Sequence, residues 1–201
     1  MMSEKATLIL LAGGESKRMG CPKHLLSVPG GTIIDSLHGR LSGLFLETLV
    51  VGRGVCFTRG SLRTVEDVRK SRSPLVGIYS GLCAARTDLT FVVACDMPFV
   101  KPRLVRHLLF LAAEVDVVVP IVNGYYEPLC TAYRKSAIPV IQESLDLGNL
   151  KVTRIYEHLC VRQVAECEVK RFDPEFSSFV NLNTPRELGL LTYLNRKTVR
   201  S

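Results

Sequence analysis

Short apolar runs alternate with stretches of helical spacing along most of this 201-residue chain. Ala6–Ala12 is apolar throughout except for Thr7, the pattern of a strand covered on both faces. Ile33, Ile34, Leu37 and Leu41 then recur three and four residues apart and predict a helix over Thr32–Ser42. A second strand is expected over Leu46–Gly52 and a short third over Leu62–Val65. Gly77–Arg86 reads as a helix and Leu89–Cys95 as a buried strand. Pro102 opens a helix that runs to Ala113, since its missing N–H is harmless at a first helical position. Val115–Val122 is another strand.

Beyond Asn123 the pattern weakens. A strand is expected over Leu129–Tyr133, a helix over Ser136–Leu147 despite Pro139, and a strand of mixed alternation over Val161–Lys170. Thr184, Pro185 and Glu187 supply the cap, the first-turn proline and the capping-box acid of a C-terminal helix. The alternation predicts an α/β fold whose parallel central sheet has helices on both faces. The length suits a single domain over residues 1–201, and no repeat, low-complexity stretch or linker divides it.

Composition narrows the choice of partners. No apolar run reaches the ~18–20 residues of a membrane span, and the N-terminus lacks a small-residue cleavage site, so a cytoplasmic protein without a membrane partner is expected. Seven cysteines without a C-x-x-C pair predict buried free thiols rather than disulfides or a zinc site. The formal charge of +7 is spread along the chain. It contains neither a run of five like charges nor basic residues interleaved with aromatics, which favours small anions over nucleic acid.

The candidate chemistry begins where the first strand ends, in Leu11-Ala12-Gly13-Gly14-Glu15-Ser16-Lys17-Arg18-Met19-Gly20-Cys21-Pro22-Lys23. Glycines bring backbone N–H groups close to a ligand, and Arg18 and Lys23 add positive charge to the same turn, so the loop suits a nucleoside triphosphate. Its glycine spacing is neither that of a dinucleotide fingerprint nor that of a P-loop. A tight turn with an incidental basic surface is the plain alternative.

Cys95-Asp96-Met97-Pro98 closes the apolar strand at Leu89. A carboxylate there needs a cation or hydrogen bonds, and Mg²⁺ accepts one or two carboxylates together with substrate phosphates. Alternatively, Asp96 caps the helix near Pro102 or stabilises the turn at Pro98. Glu66 and Asp67, followed by Ser73-Pro74-Leu75-Val76-Gly77-Ile78, place an acid before a helix start, suited to base or ribose groups; solvated loop charge is the alternative, preferred for Glu66, Arg69 and Lys70. Tyr126-Glu127-Pro128-Leu129-Cys130-Thr131-Ala132-Tyr133-Arg134 forms a further candidate segment. Asn181 and Asn183 share one face of an extended backbone and suit a polar ligand, unless Asn183 only ends a strand.

Taken in order, LAGGESKRMGCPK, Asp67 with SPLVGI, CDMP, EPLCTAYR and NLNTPREL resemble molybdenum cofactor guanylyltransferase, from Leu11 to about Leu188. The first and third motifs are shared by related nucleotidyltransferases. The resemblance implies a Rossmann-like three-layer sandwich with a mostly parallel central sheet and a small additional β element. It also implies a Mg²⁺-dependent enzyme that transfers GMP from GTP to the terminal phosphate of molybdopterin, with or without its metal, and releases pyrophosphate. Related cytidylyl- or sugar-phosphate nucleotidyltransferases are the alternative. By resemblance, Leu11, Ala12, Gly13 and Gly14 contact the nucleotide, Lys23 its phosphates, Asp67 the nucleoside, and Asp96 both nucleotide and Mg²⁺. Arg18, Lys23 and Asp96 carry catalysis, and Asn181 and Asn183 lie on the pterin side. Proteins that make or receive the cofactor are the implied protein partners. The chain departs from the family at Ser73, where a glycine is usual, and in a slightly short Asp67–Pro74 spacing that leaves Glu66 as a rival to Asp67.

Overall fold

The computed structural model describes residues 5–13, 27–28, 31–54, 62–69 and 71–182. Its central sheet contains β1 (Ala6–Leu11), β4 (Glu47–Val51), β5 (Leu62–Val65), β6 (Leu89–Ala94), β7 (Val117–Val122), β9 (Cys130–Arg134) and β10 (Val161–Val164), in the spatial order β10-β7-β9-β6-β1-β4-β5. The two-residue strand β8 (Tyr125–Tyr126) pairs with β7, and a separate antiparallel ribbon joins β2 (Ser27–Val28) to β3 (Gly31–Thr32). All seven main strands point the same way except β9, which lies antiparallel between β6 and β7. The mixed α/β fold with a mostly parallel sheet agrees with the sequence reading.

Alternation along β1 divides the core. Leu8 and Leu10 face α1 (Ile33–Leu41) and α3 (Pro102–Leu111), whereas Ile9 and Leu11 face α2 (Pro74–Ala84) and α4 (Ile138–Asp146). Helix α1 starts where expected because Thr32 and Asp35 form a capping box. The Thr32 hydroxyl accepts the Asp35 N–H at 3.2 Å, and the Asp35 carboxylate accepts the Thr32 N–H at 2.7 Å.

Helix α2 begins three residues before the Gly77 start read from spacing. Ser73 is its N-cap, accepting the Leu75 N–H at 3.1 Å, and Pro74 occupies the first turn. Two glycines bring this helix close to the sheet. A Cβ on Gly77 would lie 2.9 Å from Leu11 Cδ2, and one on Gly81 2.8 Å from Ile9 Cδ1. Glycines one helical turn apart thus accommodate side chains two residues apart on the strand.

The strand expected over Val161–Lys170 is corrected. It ends at Val164, the register partner of Pro120, which brings no N–H to the ladder. The Ala165 carbonyl then accepts N–H groups from Glu168 and Val169, starting the short helix α5 (Glu166–Val169).

At the amino edge of the sheet, Glu47 joins several strands. Its carboxylate accepts from the Thr7 hydroxyl at 3.0 Å, the Arg86 N–H at 2.6 Å and the Arg63 guanidinium at 3.2 Å. A cavity of about 390 Å³ opens beside it, lined by His38, Phe45, Leu46 and both arginines. Its half-buried acid is already bonded, and it lies at the opposite end of the strands from the described candidate site residues. Among the described residues no helix is long and apolar enough to cross a membrane.

Candidate functional site

The carboxyl edge of a parallel sheet is where ligands bind in open α/β folds. Here the chain leaves β1 between two hydrogen bonds. Ala12 donates its N–H to Val51 of β4 at 2.8 Å, and the Leu11 carbonyl accepts the Cys95 N–H, just past β6, at 3.0 Å. Leu11 and Ala12 are buried and Gly13 is exposed. This anchoring sets the start of the glycine loop beside Asp96. Gly14, Arg18, Lys23, Asn183 and the helix expected at Thr184 lie outside the described residues.

Asp96 is half-buried at the end of β6, and the Met97 N–H returns to the Ala94 carbonyl at 3.1 Å to form the turn. The helix-capping alternative fails, because the N-cap of α3 is Lys101. No group of three or more His, Cys, Asp or Glu able to hold a metal occurs among the described residues.

The acids after β5 are distinct. Glu66 is exposed, whereas Asp67 is turned toward α2 and its Oδ1 is buried without a hydrogen-bond partner. That atom lies 3.8 Å from the place a Cβ on Gly77 would take. Burial pushes the Asp67 carboxyl above its ordinary range; Arg53 pulls it down and Glu66 pushes it up. The Val68 N–H donates to the Ser80 hydroxyl at 3.1 Å, fixing the turn to α2. An unsatisfied carboxylate oxygen beside a helix start is suited to receive donors from a ligand.

On the other side of β6, β9 enters the sheet from the same edge. The Leu129 carbonyl accepts the Ala94 N–H at 3.1 Å, which places Glu127-Pro128-Leu129 beside the end of β6. Glu127 is half-buried and burial raises its carboxyl pKa. The C-terminal segment arrives here too, for the Leu182 N–H donates to the Asp96 carbonyl at 2.8 Å. Asn181, exposed, is therefore next to a residue bonded to Asp96. The structure brings Leu11, Ala12, Gly13, Asp67, Asp96 and Asn181 to one edge.

The reading of buried free thiols is corrected in part. Cys95 and Cys130 are buried free thiols, but Cys83, Cys160 and Cys167 are exposed. The roles of Gly77 and Gly81 were also missed, although their four-residue spacing within a predicted helix was a visible signal.

A three-layer α/β sheet with a glycine turn after its first strand and carboxylates on the flanking strand ends defines a nucleotide-handling enzyme fold. Residues 8–164 match the model of the MobA-like NTP transferase domain. The chain is 37% identical over 188 residues to a protein of Pelotomaculum thermopropionicum named a probable molybdenum cofactor guanylyltransferase, covering 92% of this chain and 90% of that one. It is 33% identical over 188 residues to a molybdenum cofactor guanylyltransferase of Desulfosudis oleivorans, covering 92% and 93% respectively. The crystal structure of molybdopterin-guanine dinucleotide biosynthesis protein A from Archaeoglobus fulgidus superposes with a TM-score of 0.79 at 27% identity, over 95% of this chain and 99% of that one. A 2-C-methyl-D-erythritol 4-phosphate cytidylyltransferase from Thermus thermophilus shares the fold, with a TM-score of 0.70 at 18% identity over 94% and 98%. The chain belongs to the MobA-like NTP transferase family and is a nucleotidyltransferase.

Proposed function

We propose that the protein transfers GMP from GTP to the terminal phosphate of molybdopterin, giving the guanine dinucleotide and pyrophosphate. The observation that carries this reading is the arrangement on the sheet edge. Asp67 with its orphaned oxygen lies on one side of the Gly13 turn, and Asp96 and Asn181 lie on the other. This order matches that of a nucleoside, a phosphate chain and an acceptor. The names carried by the relatives supply guanine and molybdopterin as the two substrates.

In the reaction, an acceptor phosphate oxygen forms a bond to the α-phosphorus of GTP. The bond from that phosphorus to the β-phosphate's bridging oxygen breaks, and pyrophosphate leaves with the electron pair. A phosphate monoester is largely ionised at neutral pH, so the attack needs no strong general base. The protein's work is positioning and charge compensation. The Asp67 carboxylate takes donors from the nucleoside, and Gly13 and Gly14 let backbone N–H groups approach the phosphates. Arg18 and Lys23 offset the charge that develops on pyrophosphate, and Asn181 and Asn183 bond the pterin side.

The donor set at Asp96 fits Mg²⁺, since a single hard carboxylate at an open strand end leaves a small cation free to take phosphates and waters. Asp96 would hold the ion, which when bound supplies charge neutralisation at the α-phosphate. The test is titration with GTP, ATP, CTP and UTP, with and without Mg²⁺, followed by product analysis with molybdopterin. Selective GTP binding and formation of the guanine dinucleotide are expected. A preference for CTP would reassign the protein to cytidylyl transfer, and no nucleotide binding would overturn the reading.

A further inference from the structure

We propose that Asp173 is the positioning residue of the acceptor side of the site, an inference that rests on the function proposed above. Among the described residues Asp173 is the one fully buried side chain of a charged type, at 0% exposure. A carboxylate in such a place is costly unless donors surround it. Its Oδ1 accepts from the Ser177 N–H at 3.1 Å and from the Ser177 hydroxyl at 2.9 Å, and its Oδ2 accepts from the Ser178 N–H at 2.7 Å. Three donors from two adjacent residues fold residues 173–179 into a tight turn, within which Phe176 is held in the left-handed region at φ 52°. A bulky side chain adopts that conformation only where its surroundings impose it.

Two further bonds carry this turn to the site. The Ser178 hydroxyl accepts the Lys101 N–H at 3.0 Å, capping α3, which has no side-chain cap of its own. Three residues past the turn, the Leu182 N–H reaches the Asp96 carbonyl at 2.8 Å, with Leu182 itself buried. The Asp173 carboxylate thus ties together the start of α3, the end of β6 and the segment bearing Asn181. A neutral turn would serve packing equally well. A carboxylate holding three donors fixes where Asn181 stands relative to Asp96, and that distance sets where the acceptor sits. Asp67 and the Gly13 turn have no share in these bonds, which reach the nucleotide side only at the backbone carbonyl of Asp96.

The experiment compares wild type, Asp173→Asn and Ser177→Ala by GTP titration, thermal unfolding and steady-state GMP transfer to molybdopterin. In Asp173→Asn an amide N–H₂ can face the Ser178 N–H, whereas Ser177→Ala removes one hydroxyl donor and leaves the carboxylate. The KM for molybdopterin is expected to rise by about tenfold in Asp173→Asn and by less in Ser177→Ala, the scale of losing a hydrogen bond to a charged group. The Kd for GTP should stay within about twofold of wild type, and kcat at saturating acceptor should change less than KM. A lowered Tm with unchanged KM would make Asp173 purely structural and overturn the proposal. Equal damage to GTP Kd and acceptor KM would overturn it as well. Should Asp173→Asn fail to fold, Ser177→Ala decides alone, and an unchanged acceptor KM there overturns the proposal. Wild type that binds GTP but transfers nothing to molybdopterin would instead overturn the proposed function, and this inference with it.

Discussion

Gly77 and Leu11 stand so close that a Cβ on the glycine would lie 2.9 Å from Leu11 Cδ2, at the point where the chain leaves β1 for the glycine turn. The contact sets how near the start of α2 comes to the nucleotide side of the site. Gly77→Ala must push Leu11, a buried side chain, toward the turn. Overpacking of this kind lowers stability by about 1–3 kcal/mol. We expect weaker GTP binding along with the lowered Tm; an unchanged Kd would mean that Leu11 yields without disturbing the turn.

Asp67→Asn should separate stability from function. The folded carboxyl has its pKa raised above the ordinary 3.8, so the folded state holds its proton longer than the unfolded state does. Stability therefore falls as pH rises from about 3.8 through the raised value, and the deficit persists at neutral pH. The asparagine variant lacks that deficit and should unfold at a higher temperature at pH 7. Its GTP affinity should drop by about tenfold, the scale of one hydrogen bond to a charged acceptor. Denaturation at several pH values, paired with GTP titration, checks both directions.

Asp96→Ala and Lys23→Ala should each lower turnover by at least about 10²-fold, the usual scale for losing a preorganised electrostatic group. Asp96→Ala should stay folded, because its bond to Leu182 runs through the backbone carbonyl. Steady-state GMP transfer alongside circular dichroism tests this, and near-wild-type turnover in either variant would remove that residue from the site.

Glu47→Ala should act on stability alone. It strips partners from the Thr7 hydroxyl, the Arg86 N–H and Arg63, and should cost about 1–3 kcal/mol. Well below the lowered Tm, GTP affinity and turnover should match wild type. A change in GTP affinity at low temperature would show that the two edges of the sheet communicate.

Where local chemistry specified structure, the sequence was readable. The helix over Thr32–Ser42 shows in the spacing of Ile33, Ile34, Leu37 and Leu41, and the first strand in an apolar run that ends in paired glycines, each signal confined to a few neighbouring residues. The carboxylate after β6 was readable for the same reason. What was missed depends on residues far apart in the chain. The early end of β10 is set by Pro120, forty-odd positions upstream, and the reversed direction of β9 by its two neighbours in the sheet. The start of α2 was hidden because Ser73, which departs from the family pattern, is its cap. The different burial of Glu66 and Asp67 was not legible either, because both are acids in one loop and only the packing of α2 distinguishes them. Asp173 gave no signal, since its partners Ser177 and Ser178 look like ordinary turn residues until Lys101 and Asp96 are seen beside them.

The hydrogen bonds on Glu47 also bear on how such a protein changes over evolution. The bonds that hold the frame lie at one end of the strands, and the candidate site residues that are described lie at the other. Mutations in loops at the carboxyl edge leave the bonds among Thr7, Glu47, Arg63 and Arg86 intact. A lineage can then explore substrates without first losing its fold. The same sheet accordingly serves a cytidylyltransferase only 18% identical to this chain.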